Sequence, residues 1–228
     1  KQLYELWDLD TARAPLTDYT IGIDTMEKMV AKLKEKPWPI YKIKVGVEHD
    51  IEMVAELRKH TDTVLRVDAN AGWTLEQALQ KIPLLKELGV ELVEQPLAKD
   101  DWEGMRSLYA QSPLPLFADE ACVFEGDVEK CQHHFHGINI KLTKCSGITP
   151  ARRMIAHARE LGMQVMVGCM NESSIGTAAI AQLAPLLDHV DMDGPLLLAE
   201  DIAEGVGFEN GKIIYTEGPG LGIRMEAF

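Results

Sequence analysis

Basic residues are scarce in this chain. Lys and Arg number 23 against 36 Asp and Glu in 228 residues, leaving a net charge of −13. A surface of that sign repels phosphate backbones and anionic headgroups, which argues against nucleic acid and membrane surfaces as partners. Long apolar runs are missing too. None approaches the ~18–20 residues that span a bilayer, and the opening at Lys1 does not read as a secretory leader. Cysteine is sparse: Cys122, Cys131, Cys145 and Cys169 form no C-x-x-C pair. Free thiols in a reducing compartment follow, rather than a zinc knuckle or a disulfide framework. These absences together predict a soluble cytoplasmic protein. Low-complexity stretches are absent as well, and no segment repeats as text.

What is present is a beat. Lys44, Asp68, Glu94, Asp119 and Lys141 each end a short apolar, β-branched run, at intervals of 22 to 26 residues. Asp191 ends another such run 50 residues later, and Gln164-Val165-Met166-Val167 fills that gap. A strand, a loop, a helix and a return loop take about that many residues, so the beat is that of a β/α repeat. Counting Thr20-Ile21-Gly22-Ile23 as the first strand gives eight strands and seven intervening helices. The fold expected is α/β, a TIM-like (β/α)7β barrel over residues 19–195. Asp24 is expected to cap the first helix, and Thr149, followed by Pro150, to cap the one before Gln164. Residues 1–18 read as a linker or a remnant of another domain, with Leu3, Leu6 and Trp7 as an apolar stripe in need of a partner. Residues 196–228 read as an irregular, Gly-rich tail in which only Lys212-Ile213-Ile214-Tyr215 resembles a strand.

Charge at a strand end is costly unless something there uses it. In such a barrel the carboxyl ends of all strands meet at one mouth, where active sites lie. Alternation along a strand points Lys42 and Lys44 the same way, into the barrel. Two ammonium groups that close lower each other's pKa, which would tune a lysine toward work as a base. Asp68, Glu94 and Asp119 end three consecutive strands, and three crowded acids repel unless a cation sits among them. A set of hard oxygen donors without His or Cys suits Mg²⁺ or Mn²⁺ over zinc. Lys141 ends the strand opposite Lys44 in the ring, so the two flank a bound substrate from opposite faces. Asp191 and Asp193 share a face and can grip an ammonium by charge-assisted hydrogen bonds, although an isolated Asp-x-Asp is as readily a turn. Cys169, Met170 and Glu172 are candidates for the pocket wall. Lys144 reads as a solvated loop lysine, and His133, His134 and His136 as structural residues away from the mouth.

The combination Lys42-Ile43-Lys44, Asp68-Ala69-Asn70, Glu94-Gln95-Pro96, Asp119-Glu120 and Asn139-Ile140-Lys141 resembles the enolase superfamily, in its muconate-lactonising subgroup. Within it, Asp191-Met192-Asp193-Gly194 is similar to the dipeptide epimerases of the L-Ala-D/L-Glu epimerase kind. The resemblance implies Mg²⁺ on Asp68, Glu94 and Asp119, and Lys44 and Lys141 as an acid/base pair. It implies Lys42 as the residue that tunes Lys44 and meets the substrate carboxylate, and Asp191 and Asp193 as holders of a dipeptide α-ammonium. It also implies an N-terminal capping domain, of which this chain is expected to carry only the last turn. N-acylamino-acid racemase and o-succinylbenzoate synthase share the lysine pair and stay open as alternatives, as do a Schiff-base aldolase and a non-catalytic barrel. A homo-oligomer is compatible with all of these.

Overall fold

The computed structural model describes residues 1–225. A one-turn helix, α1 (Leu3–Leu6), leads to the barrel. The barrel alternates β1 (Tyr19–Ile21), α2 (Met26–Glu35), β2 (Ile40–Lys44), α3 (Asp50–Arg58), β3 (Val64–Asp68), α4 (Leu75–Glu87), β4 (Val90–Glu94), α5 (Trp102–Gln111) and β5 (Leu116–Ala118). It continues with α6 (Val128–Cys131), β6 (Gly137–Ile140), α7 (Leu142–Cys145), α8 (Ile148–Glu160), β7 (Gln164–Gly168), α9 (Ser174–Ala181) and β8 (His189–Asp191). The eight strands pair in sequence order, all parallel. A parallel bridge between Thr17 and Val190 joins the first strand to the last and closes the ring.

Helix boundaries follow local chemistry. Thr74 and Gln77 form a reciprocal capping box at the start of α4, and Gly89 follows its end with φ +73°. Two expected caps are corrected. Thr25, not Asp24, is the N-cap of α2, and Asp24 instead accepts a hydrogen bond from the Thr25 amide. Gly147, with φ +114°, precedes α8, so Thr149 and Pro150 fall inside its first turn. Pro tolerates that position because its missing N–H has no partner there. The tail pairs β9 (Ala203–Glu204) with β12 (Arg224–Met225) and β10 (Gly207–Glu209) with β11 (Lys212–Ile214). Residues 226–228 lie outside the described residues. The stripe near the amino terminus does find company: Trp7 receives the Arg152 guanidinium 4.2 Å from its ring, while Leu6 stays exposed. Among the described residues no helix is long and apolar enough to cross a membrane. All four cysteines are free and buried.

The main apolar core lies between strands and helices, and the barrel interior is different. Its apolar content reduces to a separate cluster of Leu92, Phe117 and Met166. The rest is polar. Arg66, 3% exposed, donates from Nη1 to Asp18 at 2.9 Å and from Nε to Glu91 at 2.7 Å, and its Nη2 meets His189 Nδ1 at 2.9 Å. Burial, then the Arg66 charge, pushes the His189 imidazole down to about 4. The folded pKa therefore lies below the unfolded one, and the unfolded chain binds the extra proton between the two. Stability contributed by neutral His189 is fully present above about 6.5 and is lost as pH falls toward 4. Replacing His189 with Gln should flatten the acid limb of the stability profile over that window by up to about 3 kcal/mol. Urea unfolding of both forms at a series of pH values measures it, and parallel curves would refute it.

Candidate active site

Register places the charged residues. Lys44 pairs across with Asp68, and Asp68 with Glu94, so β2, β3 and β4 deliver their last residues at one level. Asp119 follows β5, Lys141 follows β6, and Asp191 ends β8. A cavity of about 460 Å³ opens over them, with Lys42, Lys44, Asp119, Lys141, Asp191 and Asp193 in its lining. A larger cleft of about 700 Å³ lies on the flank between residues 8–13 and α8, where Arg159 is already paired with Asp188.

Lys42 is the hub of the mouth. Its ammonium is 2.7 Å from Asp191, 2.8 Å from Glu94 and 3.3 Å from Asp68, and the residue is 2% exposed. Burial opposes its charge, but Asp191, Glu94 and Asp68 together outweigh burial and hold Lys42 well above the ordinary lysine range. The expectation that paired ammonium groups lower a lysine's pKa is thereby corrected: carboxylates from three strands dominate. Lys44 donates to Asp68 at 2.6 Å and to Asn70 at 3.1 Å, with its side chain 28% exposed. Lys141 lies 3.0 Å from Asp119. Burial works against the Lys141 charge, yet Asp119 raises it above the ordinary range. Lys44 and Lys141 belong to β2 and to the end of β6, four strands apart in a ring of eight.

The three acids on consecutive strands are buried, each 1% exposed or less. Burial, then the charge of Asp68, pushes Glu94 up to about 7, with Asp119 adding to the rise. Burial works against the Asp68 charge, but Lys42 and Lys44 hold this carboxyl below its usual range. A trio that strains against its own charge, built only of carboxylate oxygens, fits a hard divalent cation in its donor chemistry. Each acid is also oriented by a neighbour. Asn139 donates to Glu94 at 2.8 Å, and Gly168 leaves it room, since a Cβ there would sit 2.8 Å from the Asn139 carboxamide oxygen. Gln95, fully buried, accepts from the amides of Asp119 and Ala121 and so ties the end of β5 to that of β4.

On the other side of the mouth, the Cys169 thiol and the Asp191 and Asp193 carboxylates bring donor atoms within 4.8 Å of one another. Burial, then Asp191 and Asp193, pushes the thiol far up, so it stays protonated and the charge here is carboxylate alone. Burial opposes ionisation of Asp191, but Lys42 holds it down to about 2. Burial and Asp191 push Asp193 up to about 6, while the Thr20 amide donates to it at 2.6 Å. An organic cation with N–H donors matches this pair. Met170, 48% exposed, and Leu197, 43% exposed, are the large apolar side chains in the lining.

Sequence reasoning missed two features of the mouth. Lys144 is no solvated loop lysine: it lines the cavity and donates to Asp119 at 2.7 Å, because α7 turns back one helical turn after Lys141. Leu197 was also missed. The histidine cluster lies away from the mouth, as expected: His136 accepts from the Leu116 amide, and His134 packs edge-on against Trp102.

Comparison with known proteins places these features. The family model described as enolase C-terminal domain-like matches residues 24–227. An L-Ala-D/L-amino acid epimerase of Flavobacterium johnsoniae is 56% identical over 99% of this chain and 67% of its own length. An L-Ala-D/L-Glu epimerase of Bacteroides thetaiotaomicron is 44% identical over 96% of this chain and 58% of its own. Among solved structures, the substrate-liganded L-Ala-D/L-Glu epimerase of Bacillus subtilis superimposes with a TM-score of 0.89 at 33% identity, covering 95% of this chain and 65% of the other. The dipeptide epimerase of Cytophaga hutchinsonii, complexed with Mg and D-Ala-L-Val, gives 0.91 at 30% identity, covering 99% and 65%. The chain thus spans about two thirds of the length of these relatives. With its barrel, its strand-end residues and these matches, the chain belongs to the enolase C-terminal domain-like family of the enolase superfamily.

Proposed function

We propose that this barrel epimerises a dipeptide at the α-carbon next to its C-terminal carboxylate, by proton transfer between two lysines. The observation that carries the reading is the placement of Lys44 and Lys141 four strands apart over one set of buried acids. A carbon centre held between them presents opposite faces to two ammonium-bearing groups. One lysine removes the α-proton and the other returns a proton from the far side, which inverts the centre. Asp119 holds Lys141 as an ammonium, the form that delivers a proton.

Asp68, Glu94 and Asp119 would hold Mg²⁺, with Mn²⁺ as a substitute. When bound, the cation supplies positive charge against the substrate carboxylate and so eases loss of the neighbouring proton. Lys42 adds fixed positive charge from below. Asp191 and Asp193 hold the α-ammonium of the amino-terminal residue, and Met170 contributes an apolar wall beside them. The aspartate pair favours a dipeptide over an N-acyl amino acid, because an acylated nitrogen carries no positive charge to repay their burial.

The test is mass-resolved deuterium uptake in D₂O, run on the intact protein with a dipeptide library, with Mg²⁺ and with chelator. We expect a gain of one mass unit in a subset of dipeptides, lost on chelation. Uptake confined to N-acyl amino acids would transfer the assignment to a racemase, and uptake nowhere would sink both readings.

A further inference from the structure

Asp18 has no part in the reading above, yet it lies beside one of its central residues. The Thr17–Val190 bridge that closes the barrel sets the next residues of each strand, Asp18 and Asp191, side by side on the seam. Asp18 is fully buried and Asp191 is 4% exposed. Each has one oxygen with a cationic partner: Asp18 Oδ2 accepts from Arg66 at 2.9 Å, and Asp191 Oδ2 accepts from Lys42 at 2.7 Å. Each has a second oxygen, Oδ1, that is buried and has no hydrogen-bond donor. Two orphaned acceptors on neighbouring carboxyl groups are costly together and are both satisfied by a single proton. A side-chain hydrogen bond between the two residues is what that proton makes.

We propose that Asp18 is a neutral carboxylic acid that donates from Oδ1 to Oδ1 of Asp191, and so positions the aspartate that grips the substrate ammonium. The division of roles follows from the surroundings. Lys42 lies against Asp191 and makes it the anion of the pair. Burial, then the Asp191 charge, raises Asp18 well above the carboxylate range, more than Arg66 and Lys42 together lower it. Arg66 shares its own charge with Glu91, so Asp18 need only offer it a carbonyl-type oxygen. With Lys42 on one oxygen and Asp18 on the other, the Asp191 carboxylate is fixed in rotation beneath the cavity. Asp18 acts only through Asp191 and does not face the cavity, which makes it a positioning residue.

The inference rests on the dipeptide reading for its kinetic consequence but not for its proton. Infrared difference spectroscopy of the intact protein in mildly alkaline buffer, where Glu94 at about 7 and Asp193 at about 6 have ionised, should show a carboxylic-acid C=O band that Asp18→Asn removes. Absence of the band, or its survival in Asp18→Asn, overturns the proposal whether or not any dipeptide reacts. Kinetically, Asp18→Asn keeps an acceptor for Arg66 and a donor for Asp191, so KM for the dipeptide should stay within about threefold of the wild type. Asp18→Leu removes the donor, and KM should rise about tenfold or more while kcat changes less. Equal impairment of the two variants would assign Asp18 to charge pairing with Arg66 and refute the neutral acid. If the wild type epimerises no dipeptide, the functional reading fails and the infrared result still decides the state of Asp18.

Discussion

Replacing Lys141 with Ala should reduce epimerisation by roughly 10²–10⁴-fold, the usual contribution of a positioned acid or base, while one epimer continues to take up deuterium. The asymmetry follows from the ring. Lys44 remains on its side of the cavity and can still remove the proton that faces it. In D₂O its ammonium then carries two deuterons beside the captured proton, so return to the same face delivers label with configuration retained. The opposite epimer presents its proton to the side that Lys141 has vacated and stays unlabelled. Lys44→Ala should give the mirror result, labelling the other epimer only. Chiral separation followed by mass spectrometry reads both variants. Epimerisation within tenfold of the wild type in either one, or equal labelling of both epimers, would rule out the two-base scheme. Neither residue supports the fold as Lys42 does. Lys141 is the second cation on Asp119 beside Lys144, and the Lys44 side chain is 28% exposed, so the stability cost of each change stays small beside its catalytic effect.

How this site was legible in the sequence, and where it was not, has a physical pattern. Lys44, Asp68, Glu94, Asp119, Lys141 and Asp191 could be read because two periodicities coincide. The repeat places each at a strand end, and the two-residue alternation turns each inward. Neither periodicity reaches beyond a single strand. Lys144 escaped because a helical turn, not a strand, follows Lys141, and a residue three positions on comes back over Asp119. Asp18 escaped because its partner is 173 residues away across the closing seam, a pairing that no local pattern records. The charge state of Lys42 was misjudged for a related reason. Alternation brings Lys44 near it from the same strand, but β3, β4 and β8 each contribute a carboxylate, and those three decide the balance. Helix starts at Thr25 and Gly147 shifted by one or two residues, as caps do where two polar residues compete.

Lys42→Met should be the most damaging single change to the stability of the barrel, at about 3–5 kcal/mol, although methionine fills nearly the same space. Packing is therefore not what is lost. The substitution leaves Asp68, Glu94 and Asp191 buried without the ammonium that lies within 3.3 Å of all three. Two of the acids have further support, Asp68 from Lys44 and Glu94 from Asn139, and Asp191 has the least. Relief by protonation gives the loss a pH dependence of definite sign. Without Lys42, the carboxyl groups titrate higher in the folded chain than in the unfolded one. Folded acids of that kind stabilise below the unfolded pKa and cease to do so as pH rises through the folded value. The gap between wild type and Lys42→Met should accordingly be small in acid and widen from about pH 4 upward, reaching its full size in mildly alkaline buffer. Urea denaturation across that range measures it, and adding Asp191→Asn to Lys42→Met should recover a substantial part of the loss by removing the least supported anion. A gap independent of pH, or a double variant no more stable than the single one, would show that Lys42 serves the fold through its packing and not through its charge.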